Sequence, residues 1–183
     1  MITMKARIER SAPAALICAL VVWGMAVDSA QAHVLLETKE AAIGSRVQAV
    51  FVVPHGCGES DTVKLRVRIP EAVIMVMPEA KEGWTIETKT GTYATPYDDE
   101  GRKVSEGVQE VIWSGGRVPA KTRETFTIGL TLTAALKPET TLYFPVVQEC
   151  EADVRRWIEI PAEGADPHST KQPAPGLRLL RKP

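Results

Sequence analysis

The sequence predicts an all-β fold, an antiparallel β-sandwich of the immunoglobulin or cupredoxin type. Three observations point there: short runs that alternate apolar and polar residues, Gly- and Pro-bearing turns between them, and no stretch with a helical period.

The first segment stands apart from that fold. Lys5, Arg7 and Arg10 precede an apolar run from Ala14 to Val27, which Asp28 ends before it reaches the length of a membrane span. Ala30-Gln31-Ala32 then supplies the small-x-small pattern of a signal-peptidase site, so residues 1–32 read as a cleaved signal peptide. Cys18 lies midway along the apolar run behind bulky Ile17, where a lipoprotein signal needs a small residue, and lipidation is discounted. No later apolar stretch has spanning length, so the mature protein is expected in the periplasm or secreted, without membrane insertion.

Along residues 33–162 the strands follow in order. Arg46 to Val53 is a strand ending in the turn Pro54-His55-Gly56. Thr62 to Ile69 sets Val63, Leu65, Val67 and Ile69 on one face against Lys64, Arg66 and Arg68 on the other. Trp84 to Thr90 and Val108 to Trp113 come next, the latter closed by Ser114-Gly115-Gly116. Phe126, Ile128, Leu130 and Leu132 repeat the period of two, and Leu142 to Val147 and Trp157 to Ile160 complete the set. Residues 163–183 read as a Pro-rich tail, with Pro167, Pro173 and Pro175, before a final edge strand at Leu177 to Leu180.

Formal net charge is −1. Removal of Lys5, Arg7, Arg10, Glu9 and Asp28 with the signal segment makes it one unit more negative. Scattered charge of that kind excludes a nucleic-acid footprint or a polybasic membrane surface.

Cleavage after Ala32 has a chemical consequence: the mature chain begins with His33. A first-residue histidine offers a metal its α-amine and its nearer ring nitrogen in one chelate ring. The amine, with a pKa of about 7.7 to 8.0, gives up its proton readily near neutral pH. Such a nitrogen-rich site favours copper among divalent ions. Of the other imidazoles, His55 lies in a turn and His168 in the polar tail, and both read as solvated residues.

Cleavage also leaves two cysteines, Cys57 and Cys150, in an oxidising compartment. A disulfide is the favoured reading, with a thiolate pair for Cu(I) beside His55 as the alternative. Trp84 and Trp113 are expected in the core. Trp157 is singled out because its π-face can lie against a bound cation. Glu110 and Glu124 sit on or beside strands, where an exposed strand-face charge is the ordinary role.

The pieces His33-Val-Leu-Leu, Val53-Pro-His-Gly-Cys57, Arg68-Ile-Pro-Glu71, Gly83-Trp84, Trp113-Ser-Gly-Gly116, Tyr143-Phe-Pro-Val-Val-Gln-Glu-Cys150 and Trp157-Ile-Glu-Ile-Pro161 together resemble the YcnI-like family of exported copper-binding proteins. The resemblance spans nearly all of residues 33 to 180. It implies a cupredoxin-like sandwich binding one Cu(II) through a mono-histidine brace: the amine and ring of His33, a carboxylate, and a tryptophan near the metal, which falls on Trp157. In the family the carboxylate follows the Trp-Ser-Gly-Gly turn. Here that register falls near Lys121 or Thr122, and Glu124 is the acidic residue named in its place. The paired cysteine motifs resemble the proteobacterial branch, which supports a disulfide.

The function expected is therefore copper acquisition, storage or handover, without catalysis, with membrane copper transporters or periplasmic copper chaperones as partners. Two other function classes make different demands on the sequence. A copper-dependent oxidative enzyme needs a second histidine ligand, which the resemblance does not assign. A metal-independent structural sandwich would make His33 dispensable. No nucleophile–base pair, phosphate loop or zinc spacing points to hydrolysis.

Overall fold

The protein is described by a computed structural model covering residues 33–162 and 170–182. The predicted signal segment and His168 lie outside the described residues.

Among the described residues twelve strands follow one another: β1 (Leu35–Leu36), β2 (Glu40–Ala42), β3 (Arg46–Val53), β4 (Thr62–Arg68), β5 (Val73–Pro78), β6 (Thr85–Asp99), β7 (Arg102–Val118), β8 (Glu124–Leu132), β9 (Thr141–Tyr143), β10 (Val146–Cys150), β11 (Val154–Trp157) and β12 (Gly176–Leu180). A four-stranded sheet runs β1-β3-β8-β5, a five-stranded sheet β11-β10-β4-β7-β6, and a small third sheet β2-β12-β9. Strand pairing is antiparallel except for β2 with β12. The all-β sandwich expected from the alternation is the fold.

The core lies between the two larger sheets. Phe51, Phe126 and Ile128 from one meet Leu65, Val67, Trp113 and Val146 from the other, all essentially inaccessible to solvent. Aromatic edges stitch the layers: Trp113 lies 5.3 Å from Phe126 and Phe144 lies 5.6 Å from Phe51, centroid to centroid. Such offset pairs add about 0.5–1.5 kcal/mol each beyond their burial. Trp113 is a core residue as expected, while Trp84 is only partly buried and packs edge-on to Phe126 from the rim, because it lies just ahead of β6 at the margin of the sheet.

Several elements differ from the reading of the sequence. The hairpin of β6 and β7 runs well past the predicted segments, because its outer half is mostly polar and its buried residues, Tyr93 and Tyr97, are spaced too widely to show the period of a strand; they pack with Ala72 and Ile74 in a small second cluster. Leu142 to Val147 is two strands, broken at Phe144-Pro145 where the chain passes from the small sheet to the large one. In β4 the register shifts between Thr62 and Lys64, which buries Thr62 and leaves Val63 only half-buried, breaking the alternation at its start. The final strand β12 is not at an edge. It lies between β2 and β9 with Leu177 and Leu179 buried.

Candidate functional site

His33 stands immediately before the buried Val34 and two residues before β1, whose Leu35 and Leu36 pair with Val52 and Phe51. Burial of Val34 and Leu36 holds this short strand on β3 and so fixes where the domain begins. Trp157 ends β11 opposite Val146, which brings its ring to 5.4 Å from the His33 ring with 56° between their planes. The structure therefore joins these two residues, more than a hundred positions apart in sequence, at one end of the sandwich.

The orientation of Trp157 is set by a residue that sequence reasoning passed over. Gln148, 1% exposed, accepts the indole N–H of Trp157 on Oε1 at 3.0 Å. Its Nε2 donates to the His55 carbonyl at 2.9 Å and to the Thr62 hydroxyl at 2.8 Å. An indole N–H can only donate, so the amide oxygen must face it and the amide nitrogen must face the other two. A buried amide is costly when unpaired and orienting when every position is satisfied. The signal was present: in Val146-Val-Gln-Glu-Cys150 the period of two puts Gln148 inward with Val146 and Cys150.

Beside this amide the Cys57 and Cys150 sulfurs are bonded to each other at 2.07 Å, with 6.1 Å between their Cα atoms. They are a disulfide and not a thiolate pair for Cu(I). Thr62 Oγ1 lies 3.7 Å from Cys150 Sγ, so the bridge touches the same set of contacts. The turn that carries Cys57 is tight. Gly56 donates its N–H to the Ala120 carbonyl at 2.8 Å, and a methyl group on Gly56 would run into the Ser60 carbonyl oxygen. His55 in that turn uses Nδ1–H to donate to the Gly56 carbonyl at 2.6 Å, since a carbonyl can only accept. Its part in the Gln148 network is played by its backbone, not its ring.

Glu124 is placed differently. It opens β8 opposite Val53, and β3 stands between β8 and β1. Its carboxylate accepts from the Thr125 N–H at 2.9 Å and from Lys81 Nζ at 2.9 Å. The backbone N–H of Thr125, with Lys81 behind it and burial opposing, holds its pKa below the ordinary carboxylate value. Glu110 sits on the outer face of β7 between Arg66 and Lys89, each at 2.7 Å. Burial pushes its pKa up, but hydrogen bonds from Lys89 and Arg66 outweigh it and the net displacement is downward. Among the described residues no group of three or more His, Cys, Asp or Glu side chains converges as a ready-made metal cage.

The geometry is thus a histidine ring beside a tryptophan ring, supported by a satisfied amide and a disulfide. A family model described as a domain of unknown function (DUF1775) matches residues 33–179. The match starts on His33 itself. No curated protein matches the chain. Among solved structures, a protein from Nocardia farcinica described as uncharacterized and as having an immunoglobulin-like fold superposes with a TM-score of 0.60 at 23% identity, covering 81% of this chain and 98% of that one. That likeness carries the fold.

Proposed function

The chain belongs to the DUF1775 family, of which the YcnI-like proteins are members, and on that premise we propose that it is an exported protein, cut after Ala32, that binds one Cu(II) through His33. The observation that carries this reading is the meeting of His33 with Trp157 at 5.4 Å. While Ala32 is attached, the His33 nitrogen is an amide and a poor donor. Cleavage turns it into an amine and completes the two-nitrogen chelate. The indole face then lies beside the cation, where π-attraction and exclusion of water both favour a bound metal. The Cys57–Cys150 disulfide fits an oxidising compartment outside the cytoplasm.

Copper is cargo on this reading. A site with few protein ligands at the rim of a domain can be approached by a partner, which suits acquisition, storage or handover to membrane copper transporters or periplasmic copper chaperones. Glu124 joins the donor set only by leaving Lys81, so the site is drawn with His33 and Trp157 as its fixed members.

The test is a Cu(II) titration, followed by electron paramagnetic resonance, of protein starting at His33 beside a form carrying one extra residue ahead of it. Tight one-to-one binding that disappears with the extra residue is the expected result. Equal binding by both forms, or none by either, would overturn the reading.

A further inference from the structure

Beside His33 runs a groove of about 260 Å³, with Val34 and Leu36 at its floor and Pro161, Pro173 and Pro175 in its walls. Those walls are tied together by backbone. Glu159 donates its N–H to the Gln172 carbonyl at 3.0 Å, and Ala174 donates its own to the Glu159 carbonyl at 2.8 Å. Three prolines on a hydrogen-bonded frame give a cleft whose shape exists before any ligand arrives, which lowers the entropy lost on binding.

The rim carries two positive side chains, Lys39 and Arg178, joined through their backbones by the Arg178 N–H donating to the Lys39 carbonyl at 2.9 Å. Neither makes an ion pair among the described residues, although Glu40 is the register partner of Arg178. Cations on the large five-stranded sheet are treated otherwise: Arg66, Lys64, Lys89 and Arg117 each hold a carboxylate. Tyr143 adds an aromatic side chain to the lining. Apolar walls and a cationic rim match a short carbon chain bearing carboxylates.

We propose that this groove is a binding site for a small aliphatic dicarboxylate, held at Lys39 and Arg178, that presents a carboxylate oxygen to the metal at His33. The anion site stands on the groove alone, and its link to copper rests on the function proposed above. The pairing of the two is chemical. The brace supplies two nitrogens, Glu124 is engaged with Lys81, and a carboxylate entering from the groove supplies the oxygen donor that Cu(II) accepts beside nitrogen. It also makes copper retention depend on the anion, so release follows when either partner leaves.

The experiment uses mature protein starting at His33 and succinate, a weak copper chelator, as the probe. Metal-free protein titrated calorimetrically is expected to bind succinate, with affinity falling at least about tenfold in the double variant Lys39→Gln, Arg178→Gln and falling with salt for the wild type. Circular dichroism checks that the variant is folded. With Cu(II) loaded, succinate is expected to shift the paramagnetic resonance spectrum of the wild type and not of the double variant. Equal succinate affinity in both proteins, or no binding by either, overturns the anion site. Binding of a tetraglutamate peptide without binding of succinate overturns it in favour of an acidic partner segment. Succinate binding that leaves the copper spectrum unmoved overturns the link to copper. A protein that binds succinate in the groove but takes up no Cu(II) instead refutes the copper reading and leaves the anion site standing.

Discussion

Gln148 and Glu149 are neighbours on β10, and they hold their partners in opposite ways. Gln148 faces inward, buried and neutral, with Trp157, His55 and Thr62 around one amide. Glu149 faces outward into a ladder of charge with Lys64 at 3.2 Å and Arg66 at 3.7 Å, which Arg66 continues to Glu110. The inner set has one arrangement that satisfies every donor, and losing a member strands the others away from water. In the outer set water and ions replace any missing partner at little cost. A precise site belongs on the first kind of support, and His33 with Trp157 is found there.

Breaking the inner side at its covalent member should have the largest effect. Replacement of Cys57 and Cys150 by serine is expected to lower unfolding free energy by about 2–5 kcal/mol in denaturant titrations, with a concurrent change in Trp157 fluorescence. A stability change without the fluorescence change would separate the bridge from the Gln148 network. Next is Gln148→Leu, which leaves the Trp157 N–H, the Thr62 hydroxyl and the His55 carbonyl short of a partner. About 2–3 kcal/mol should be lost, along with weaker Cu(II) binding that His33 alone does not explain. If Gln148→Leu is as stable as the wild type, the network does not act as a unit.

The outer side should yield smaller numbers. Glu110→Gln is expected to cost about 1 kcal/mol or less, and 1 M salt should erase most of the difference. Glu124→Gln should lower stability to a similar extent and leave Cu(II) affinity unchanged, because its partner is Lys81. A large loss of copper binding in Glu124→Gln would instead place it among the ligands. Acid sharpens the same contrast. Glu110 and Glu124 both have folded pKa values below the ordinary 4.5, so their ionised forms favour the folded state. That contribution is whole above about pH 4.5 and is lost as pH falls through the folded values, so the melting temperature should drop there. The double variant Glu110→Gln, Glu124→Gln should show a shallower drop over the same range.

What the sequence disclosed follows the same division. β8 was legible because Phe126, Ile128, Leu130 and Leu132 all face one core, and β3 because turns bound it on both sides. The outer reach of β6 and β7 was not, since only Tyr93 and Tyr97 are buried along it and two residues four apart in a polar stretch carry no period of two. At the site, His33 and Trp157 stood out by position and type, and the paired cysteines by compartment. Gln148 did not, because its partners come from three separate segments that only strand pairing assembles. The shift at Thr62 hid in the same way, as one residue more on β4 than on β10 that turns a hydroxyl inward to meet that amide.

The position of β12 bears on when the molecule can finish folding. It is the last strand among the described residues, yet it fills the middle of a sheet whose neighbours are β2, near the start of the domain, and β9. Until Leu177 and Leu179 are in place the core they share with Leu36 and Phe144 is incomplete, and contacts so far apart in sequence form late and slowly. On the export proposed above, that delay keeps the domain open for passage through a translocation pore, and the fold locks only once β12 has followed.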